Sequence, residues 1–460
     1  MERRFGGGYL WYLQTEQLVR SYCVTWRRLS ISSGINSGTL SRFITGNQPL
    51  SVSSLDLITK AMNLEEGLFY PLYINEESTP NWRRLGPFIR RCAELGKLHC
   101  IDEAVGLIVD NPTYSSLLFD SAEALFHKGN REAALIIYKK IAESEKHQHS
   151  ERLALCQYRI FTCSLNSDQE HNLNCTIQFE TYVKRLPEGV QLDAIEDLTN
   201  TLVSLRKWNR AKYYAEEMGR ISRMLYAQKH NKKKPHRKPI EPSSALFGYI
   251  LYSDLLLSSI AAENGDYDQA LYYLSCYEDQ SWIVESDESS EHIKEKFRVW
   301  ARCNRYLYEL MKGNIDVLES YIEYISSREN EILRALFYII QAANMYHFEI
   351  DEYLERFEFM IKDYFKRESV GTYKEKVLDD GFAKFLTDVG MYYIRKGNIQ
   401  KGAKYILDSL EFSYTINFEI NIVRCCTTME HIQSMLSHDD LQRYAAIQNQ
   451  LKVSGALIHP

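Results

Sequence analysis

The first residues suited to recognition chemistry are short polar and basic side chains between positions 27 and 47. An arginine guanidinium can donate two hydrogen bonds to the edge of a guanine, and hydroxyl or amide groups can contact base edges. Further arginines could neutralise backbone phosphates, which position a protein on a duplex without reading its sequence. The candidate DNA-contacting residues are Arg27, Arg28, Asn36, Ser37, Thr39, Ser41, Arg42 and Asn47.

Two short helices joined by a tight turn are predicted to carry these residues. Apolar residues at helical spacing lie on both sides of Gly34. Gly34 falls where the first helix must end, because glycine adopts the left-handed turn conformation at least cost. Asn36 or Ser37 would then cap the second helix. A capped helix over 51–62 and a short element over 64–72 follow, and the whole pattern predicts a helix-turn-helix.

A family resemblance covers this segment. The pattern LSxxSGIxxxTLSRFxxG from Leu29, followed by a helix and by NLEEGLFYPL, resembles the Cro/C1-type (XRE) DNA-binding domain over about residues 15–73. The resemblance implies that the second helix enters the major groove. One departure is Trp26, where the family usually has a polar residue. The segment through Tyr73 has seven basic and five acidic residues, a weak surplus that predicts binding as a dimer. The alternative is a protein-docking domain that has lost DNA binding.

The rest of the chain contains a repeated phrase, in which a glycine precedes Asn or Asp and a helical stretch. It occurs at Gly129, Gly265, Gly313 and Gly397. The fifth residue after each glycine is Ala134, Ala270, Leu318 or Gly402, and Gly390 lies ahead of the last phrase. Apart from Leu318, these residues are small, which is typical of helices that cross closely, and the phrases resemble tetratricopeptide (TPR) repeats.

These observations together predict an all-α fold. Residues 243–459 contain no proline, and proline costs ~3 kcal/mol inside a helix. We expect an N-terminal helix-turn-helix (Cro/C1-type) domain over residues 1–75. A TPR-like α-solenoid over residues 76–460 would follow, stacking helix pairs around a concave groove, and would bind peptide and mediate dimerisation.

This domain combination resembles the RRNPP family of quorum-sensing regulators, which includes the PlcR, NprR and AimR peptide receptors. The resemblance implies that a short signalling peptide binds in the TPR groove, that the chain forms a homodimer, and that the peptide alters binding to double-stranded operator DNA. An asparagine amide can donate to a peptide carbonyl and accept from a peptide N–H, and arginine can pair with a terminal carboxylate. The candidate peptide-binding residues are Asn200, Arg298, Arg302, Asn304, Arg334 and Asn344, with Asn421 as a further candidate.

Other functions are less well supported by the sequence. No catalytic, cofactor-binding or metal-ligand motif is present, so we expect neither an enzyme nor a cofactor. The net charge of −6 does not indicate a nucleic-acid coat or a membrane-surface protein. The apolar run 245–262 contains Asp254 and is expected to be a core helix of a cytoplasmic protein. The basic run 229–242 is expected to be a solvated loop, with a phosphate contact or a partner site as alternatives.

The competing function is a TPR scaffold that sequesters a partner protein, as Rap proteins do, with a vestigial helix-turn-helix.

Overall fold

The computed structural model describes residues 26–44, 48, 50–74, 81–148, 150–166, 168–230, 242–365 and 373–453. Within these ranges there are twenty-three α-helices and three short 3₁₀ turns, with no β-strand. The all-α prediction is therefore confirmed for the described part of the chain. The predicted arm over 1–8, the basic run between 231 and 241, and Asn47 lie outside the described residues.

The chain divides into two compact units. Residues up to Leu165 together with Glu170–Asp197 form unit 1, and Asn166–Gln169 with the chain from Leu198 onward form unit 2. The helices that begin in unit 1 are α1 (Trp26–Ser33), α2 (Ser37–Ile44), α3 (Val52–Ala61), α4 (Tyr70–Ile74), α5 (Trp82–Glu94), α6 (Leu98–Gly106), α7 (Pro112–His127), α8 (Arg131–Ser144), α9 (Glu151–Ser164) and α11 (Glu188–Ser204). Helix α10 (Gln169–Glu180) lies almost entirely in the same unit, and α11 continues into unit 2.

Unit 2 contains the remaining helices. They are α12 (Trp208–His230), α13 (Leu246–Glu263), α14 (Tyr267–Glu278), α15 (Glu288–Met311), α16 (Leu318–Ser326), α17 (Glu329–Tyr346), α18 (Asp351–Arg356), α19 (Glu358–Phe365), α20 (Tyr373–Arg395), α21 (Ile399–Thr415), α22 (Glu419–Ile432) and α23 (His438–Val453).

Local chemistry fixes the turn between α1 and α2. Gly34 adopts φ +69°, in the left-handed region where glycine carries no Cβ penalty. The Ser30 hydroxyl donates to the Ile35 carbonyl at 2.6 Å, which holds the turn against α1. The Asn36 carboxamide oxygen accepts from the Gly38 N–H at 2.8 Å and caps the start of α2. The turn geometry expected from the glycine and the asparagine is therefore present.

The first four helices share one hydrophobic core with the helices that follow them in unit 1. That core runs from Leu29 to Cys156. Phe88 of α5 packs against the rings of Tyr70 and Tyr73, with centroids 5.0 Å away in each case. The Arg91 guanidinium of α5 pairs with Asp56 of α3 at 2.8 Å. Packing in unit 1 is thus continuous across the boundary between residues 75 and 76 that the sequence suggested.

Two helix pairs in unit 2, α13–α14 and α20–α21, cross at small residues, as the repeated phrase predicts. A Cβ on Gly390 of α20 would lie 2.9 Å from the Gly402 carbonyl oxygen of α21, so no side chain fits between these helices. At the α13–α14 crossing the helices are in direct contact, since the Ser258 hydroxyl donates to the Ala270 carbonyl at 2.8 Å. The glycines that open the four phrases all adopt positive φ, between +77° and +96°, which ends one helix before the next begins.

Helix α13 is the apolar run identified in the sequence. It is long and apolar enough to cross a membrane, but 67% of it is buried inside the structure. Asp254 in its middle accepts two hydrogen bonds of 2.7 Å from Arg223 of α12. Its apolar surface is therefore used for packing within unit 2, as expected of a core helix.

Candidate functional site

The candidate DNA-contacting side chains lie on the outer surface of α1 and α2. Leu40 and Phe43 of α2 face the core of unit 1, with only 3% and 6% of their surface exposed. Ser37, Ser41 and Arg42 of the same helix are exposed. Helix α2 therefore has one buried face and one polar face that carries a guanidinium.

The other members of this set are arranged less uniformly. Arg27 and Arg28 are exposed on α1, and Thr39 is half-buried. Asn36 is exposed, but its carboxamide oxygen is already used in capping α2. Its remaining amide hydrogens could still donate to an acceptor. Asn47 lies outside the described residues.

A cavity of about 200 Å³ lies in unit 2 between α13, the start of α14, α15, α16 and α17. Part of its lining is apolar or aromatic, from Ala262, Tyr267, Leu307, Tyr308, Met311, Tyr321, Ala335 and Tyr338. The rest is polar or ionisable, from Ser259, Glu263, Cys303, Asn304, Glu331 and Arg334. The wall is therefore mixed, and it can contact both polar and apolar parts of a ligand.

Two of the six predicted peptide-binding residues, Asn304 and Arg334, meet in this cavity. The Asn304 amide nitrogen donates to the Tyr277 hydroxyl at 3.1 Å. This bond fixes the orientation of the amide, and its oxygen accepts no hydrogen bond from the described residues. A fixed amide oxygen at a cavity wall is available to a ligand N–H donor.

The charged groups of the cavity form no ion pair with any residue that the structure describes. In the part of the chain that the structure describes, Arg334 of α17 has no carboxylate within 4.0 Å of its guanidinium. Glu263 at the end of α13 and Glu331 at the start of α17 likewise have no cationic partner among those residues. The cavity can therefore offer one cation and two anions to a ligand that has complementary charges.

The phenols and the thiol of the cavity remain protonated near neutral pH. Burial and, to a smaller extent, the negative charge of Glu263 raise the pKa of Tyr338 to about 12. Burial also raises the pKa of Cys303 to about 11. A thiol in that state is a poor nucleophile. The chemistry of the cavity therefore fits non-covalent recognition, with the tyrosines as hydrogen-bonding and ring-stacking partners.

The remaining predicted peptide-binding residues lie elsewhere. Asn200 of α11 accepts from the Tyr252 hydroxyl of α13 at 2.6 Å, and Asn344 of α17 donates to the Asp388 carbonyl of α20 at 2.8 Å. Both amides tie adjacent helices together within unit 2, and neither lines the cavity. Their bonds would have to break or be shared if these residues also contacted a ligand.

Two predicted arginines are on the surface away from the cavity. Arg298 is exposed and pairs with Glu295 one turn earlier on the same helix at 3.0 Å. Arg302 is also exposed, with its guanidinium carbon 5.9 Å from the centre of the Tyr324 ring. Neither residue lines the cavity, because α15 turns them away from the face on which Asn304 lies.

The further candidate Asn421 is a core residue. It is 1% exposed, and its amide nitrogen donates to the hydroxyls of Ser409 at 3.0 Å and Ser413 at 2.9 Å. Its oxygen accepts from the Thr387 hydroxyl at 3.2 Å. These bonds satisfy a small polar layer between α20, α21 and α22, so the groove assignment of Asn421 is corrected to a packing role.

One ionisable residue that the sequence analysis missed is Lys384 of α20. It is half-buried, and its ammonium makes no hydrogen bond or ion pair with any described residue. The ammonium lies over the Phe418 ring, whose centre is 5.5 Å from the nitrogen. Burial lowers the pKa of Lys384, and the positive charge of Arg206 lowers it further. No local sequence signal marks this lysine, because Arg206 is remote from it along the chain.

Comparison with known proteins adds no assignment, since a scan against protein-family models and a search of curated proteins both found no match.

Proposed function

We propose that this chain is a cytoplasmic, peptide-responsive transcriptional regulator of the RRNPP type. In this proposal a homodimer binds operator DNA through helix α2 of each copy, and a short signalling peptide in unit 2 modulates that binding. The observation that carries the proposal is the cavity at Asn304 and Arg334, because two residues chosen for peptide recognition converge there.

The size of the cavity sets what it could hold. At about 200 Å³ it is smaller than the ~300–1,000 Å³ pockets that enclose drug-sized ligands. It suits one or two side chains of a larger ligand. An extended peptide would insert an anchoring side chain here and lie along the neighbouring helices with the rest of its backbone.

The polar groups support a peptide over an apolar small molecule. The Asn304 oxygen could accept from a backbone N–H, and the Arg334 guanidinium could donate to a carbonyl or a carboxylate. Glu263 and Glu331 could receive an ammonium group or a basic side chain. A peptide offers all of these groups at short spacing, whereas a hydrocarbon ligand would leave the charges of the cavity unpaired.

The DNA-binding part of the proposal is supported by the two faces of α2. Its apolar face is buried, while Ser37, Ser41 and Arg42 are exposed on a helix of eight residues. A helix with this arrangement can lie in the major groove while its apolar side holds it to the domain. The small basic surplus of this segment is the reason for expecting two copies on two half-sites.

Calorimetry of peptide binding to variants of this protein tests the proposal. Synthetic peptides encoded by the short reading frames beside the gene would be titrated into the purified protein. The Asn304→Ala variant should bind the active peptide ~5–150-fold more weakly, because a buried peptide N–H left unpaired costs ~1–3 kcal/mol.

The matched control is Arg298→Ala, which removes an exposed arginine of the same helix α15 away from the cavity. Its affinity should equal that of the unaltered protein. Equal losses in both variants, or no binding of any peptide, would reject the cavity as the peptide site. A gel shift of operator DNA with and without the peptide tests the regulatory step.

A further inference from the structure

The least exposed charged group of the cavity is a carboxylate. Glu331, Glu263 and Arg334 are the charged residues of its wall, and of these only Glu331 is half-buried, whereas the other two are exposed. Glu331 is the third residue of α17, so the helix N-terminus supplies it with only a partial positive charge. A carboxylate partly removed from water is costly unless it is paired, and a cation that enters the cavity would reduce this cost.

Arg334 does not supply that cation. It lies one turn after Glu331 on α17, yet its guanidinium is not within 4.0 Å of a carboxylate oxygen of any described residue. Two carboxylates and one guanidinium line the cavity, so its wall has a net charge of −1. An anionic group of a ligand would meet this excess of negative charge, whereas a cationic group would be attracted by it.

The aromatic part of the wall also favours a cation. Tyr267, Tyr308 and Tyr338 line the cavity together, and the ring centres of Tyr267 and Tyr308 are 6.4 Å apart with the planes inclined at 39°. The face of a tyrosine ring attracts a cation that lies within ~6 Å of its centre. The hydroxyls of Tyr267 and Tyr338 make no hydrogen bond with any described residue, so their oxygens can accept from a guanidinium or an ammonium.

We infer that the cavity binds a cationic group of the ligand, a guanidinium or an ammonium, between Glu331 and the tyrosine rings. The inference rests on the proposed function for the identity of the ligand as a peptide. The cation then comes from a basic side chain or from the N-terminal ammonium of that peptide. The fixed amide oxygen of Asn304 on the same wall accepts from this group or from a neighbouring N–H.

Methyl NMR of Met311 tests the preference for charge. Met311 lines the cavity and is 4% exposed. The full chain is labelled with ¹³C-methyl methionine, and the Met311 signal is the one missing from the Met311→Leu variant. The two probes are butylguanidinium and butylurea, which have nearly the same shape but differ in charge. Butylguanidinium should shift the Met311 signal and bind at least ~10-fold more tightly, because charge-assisted hydrogen bonds are the stronger ones. Met435, exposed and outside the cavity, is the internal reference and should not move.

Three variants locate the charge that matters. Glu331→Gln keeps the shape of the side chain and should weaken butylguanidinium at least ~10-fold while leaving butylurea unchanged. Glu323→Gln removes an exposed carboxylate of α16 outside the cavity and should change neither affinity. Arg334→Gln removes a like charge and should bind butylguanidinium at least as tightly as the unaltered protein. An unmoved Met311 signal, equal affinities for the two probes, or weaker binding in Arg334→Gln would overturn the inference.

Pools of random hexapeptides identify the source of the cation. A Met311 shift that survives N-acetylation but is lost without Arg, Lys and His supports a side chain, and one lost on acetylation supports the terminal ammonium. A shift given by the acetylated pool without Arg, Lys and His contradicts the inference. Equal binding of the two butyl probes beside Asn304-dependent peptide binding would overturn the inference alone. A charge-selective cavity that binds no peptide would support the inference of a cation site and reject the proposed function.

Discussion

Replacing Gly390 with alanine should loosen the α20–α21 pair of unit 2. The added Cβ would lie 2.6 Å from Cδ1 of Ile406 and 2.9 Å from the Gly402 carbonyl oxygen. The isoleucine side chain can rotate, but the carbonyl belongs to the backbone of α21, so the helices themselves must separate.

The expected magnitude follows from two opposing contributions. Overpacking of a tight interior costs roughly 1–3 kcal/mol, and the upper half of that range applies because the obstructing atom is backbone. Alanine is ~1 kcal/mol more favourable than glycine inside a helix. The net loss is therefore about 1–2 kcal/mol, which corresponds to a ~5–30-fold change in a local opening equilibrium.

Hydrogen exchange of peptides covering α20 and α21 measures this opening without requiring the whole chain to unfold in one step. The control is Gly106→Ala at the end of α6, where an added Cβ meets no atom within 4 Å. That variant should exchange as slowly as the unaltered protein. Unchanged protection of α20 and α21 in the Gly390 variant would refute the claim that backbone contact at this crossing limits the pair.

Three further results are expected. Arg42→Ala should abolish specific operator binding in a gel shift while leaving helicity intact, and retained specificity would remove α2 from the DNA interface. Arg28→Ala should weaken binding to all sequences alike and reduce the slope of affinity against salt by ~1, as the loss of one phosphate contact does. Burial alone would raise the pKa of Asp351, but hydrogen bonds from Lys396 and Tyr392 lower it below its ordinary value of 3.8. Since the folded-state pKa is the lower one, this stabilisation is present above pH 3.8 and is lost as the pH falls through the folded value. The urea midpoint should therefore exceed that of Asp351→Asn at neutral pH, with a difference that disappears on acidification.

The fold was predictable where a residue type has one dominant structural use. Gly34 marked a left-handed turn, and Gly390 with Gly402 marked a crossing too close for side chains. These signals are local, so they survive without knowledge of the repeat register. The alternation of glycine-led phrases and the missing prolines were enough to predict an all-α chain.

The candidate site was predictable only in part, because groove and core residues look alike along a helix. Asn304 and Asn421 are both helical asparagines, yet one lines a cavity and the other is 1% exposed in a polar layer. A rotation of about 100° per residue separates an inward from an outward position, so Arg298 could not be distinguished from Arg334. Lys384 was missed because its main electrostatic neighbour, Arg206, comes from a distant part of the chain.

The shared core of α1–α4 with α5 and α6 affects how this protein could evolve. Exchanging the first 75 residues for those of a relative would place against α5 a surface whose shape and charge do not complement Phe88 and Arg91. If α2 binds operator DNA as proposed, specificity for a new operator would therefore be acquired more readily by changing single exposed residues of α2 than by recombining whole segments. A chimaeric protein should be joined after the Phe88 contacts in the chain, so that helices α1–α4 keep the interface that they form with α5.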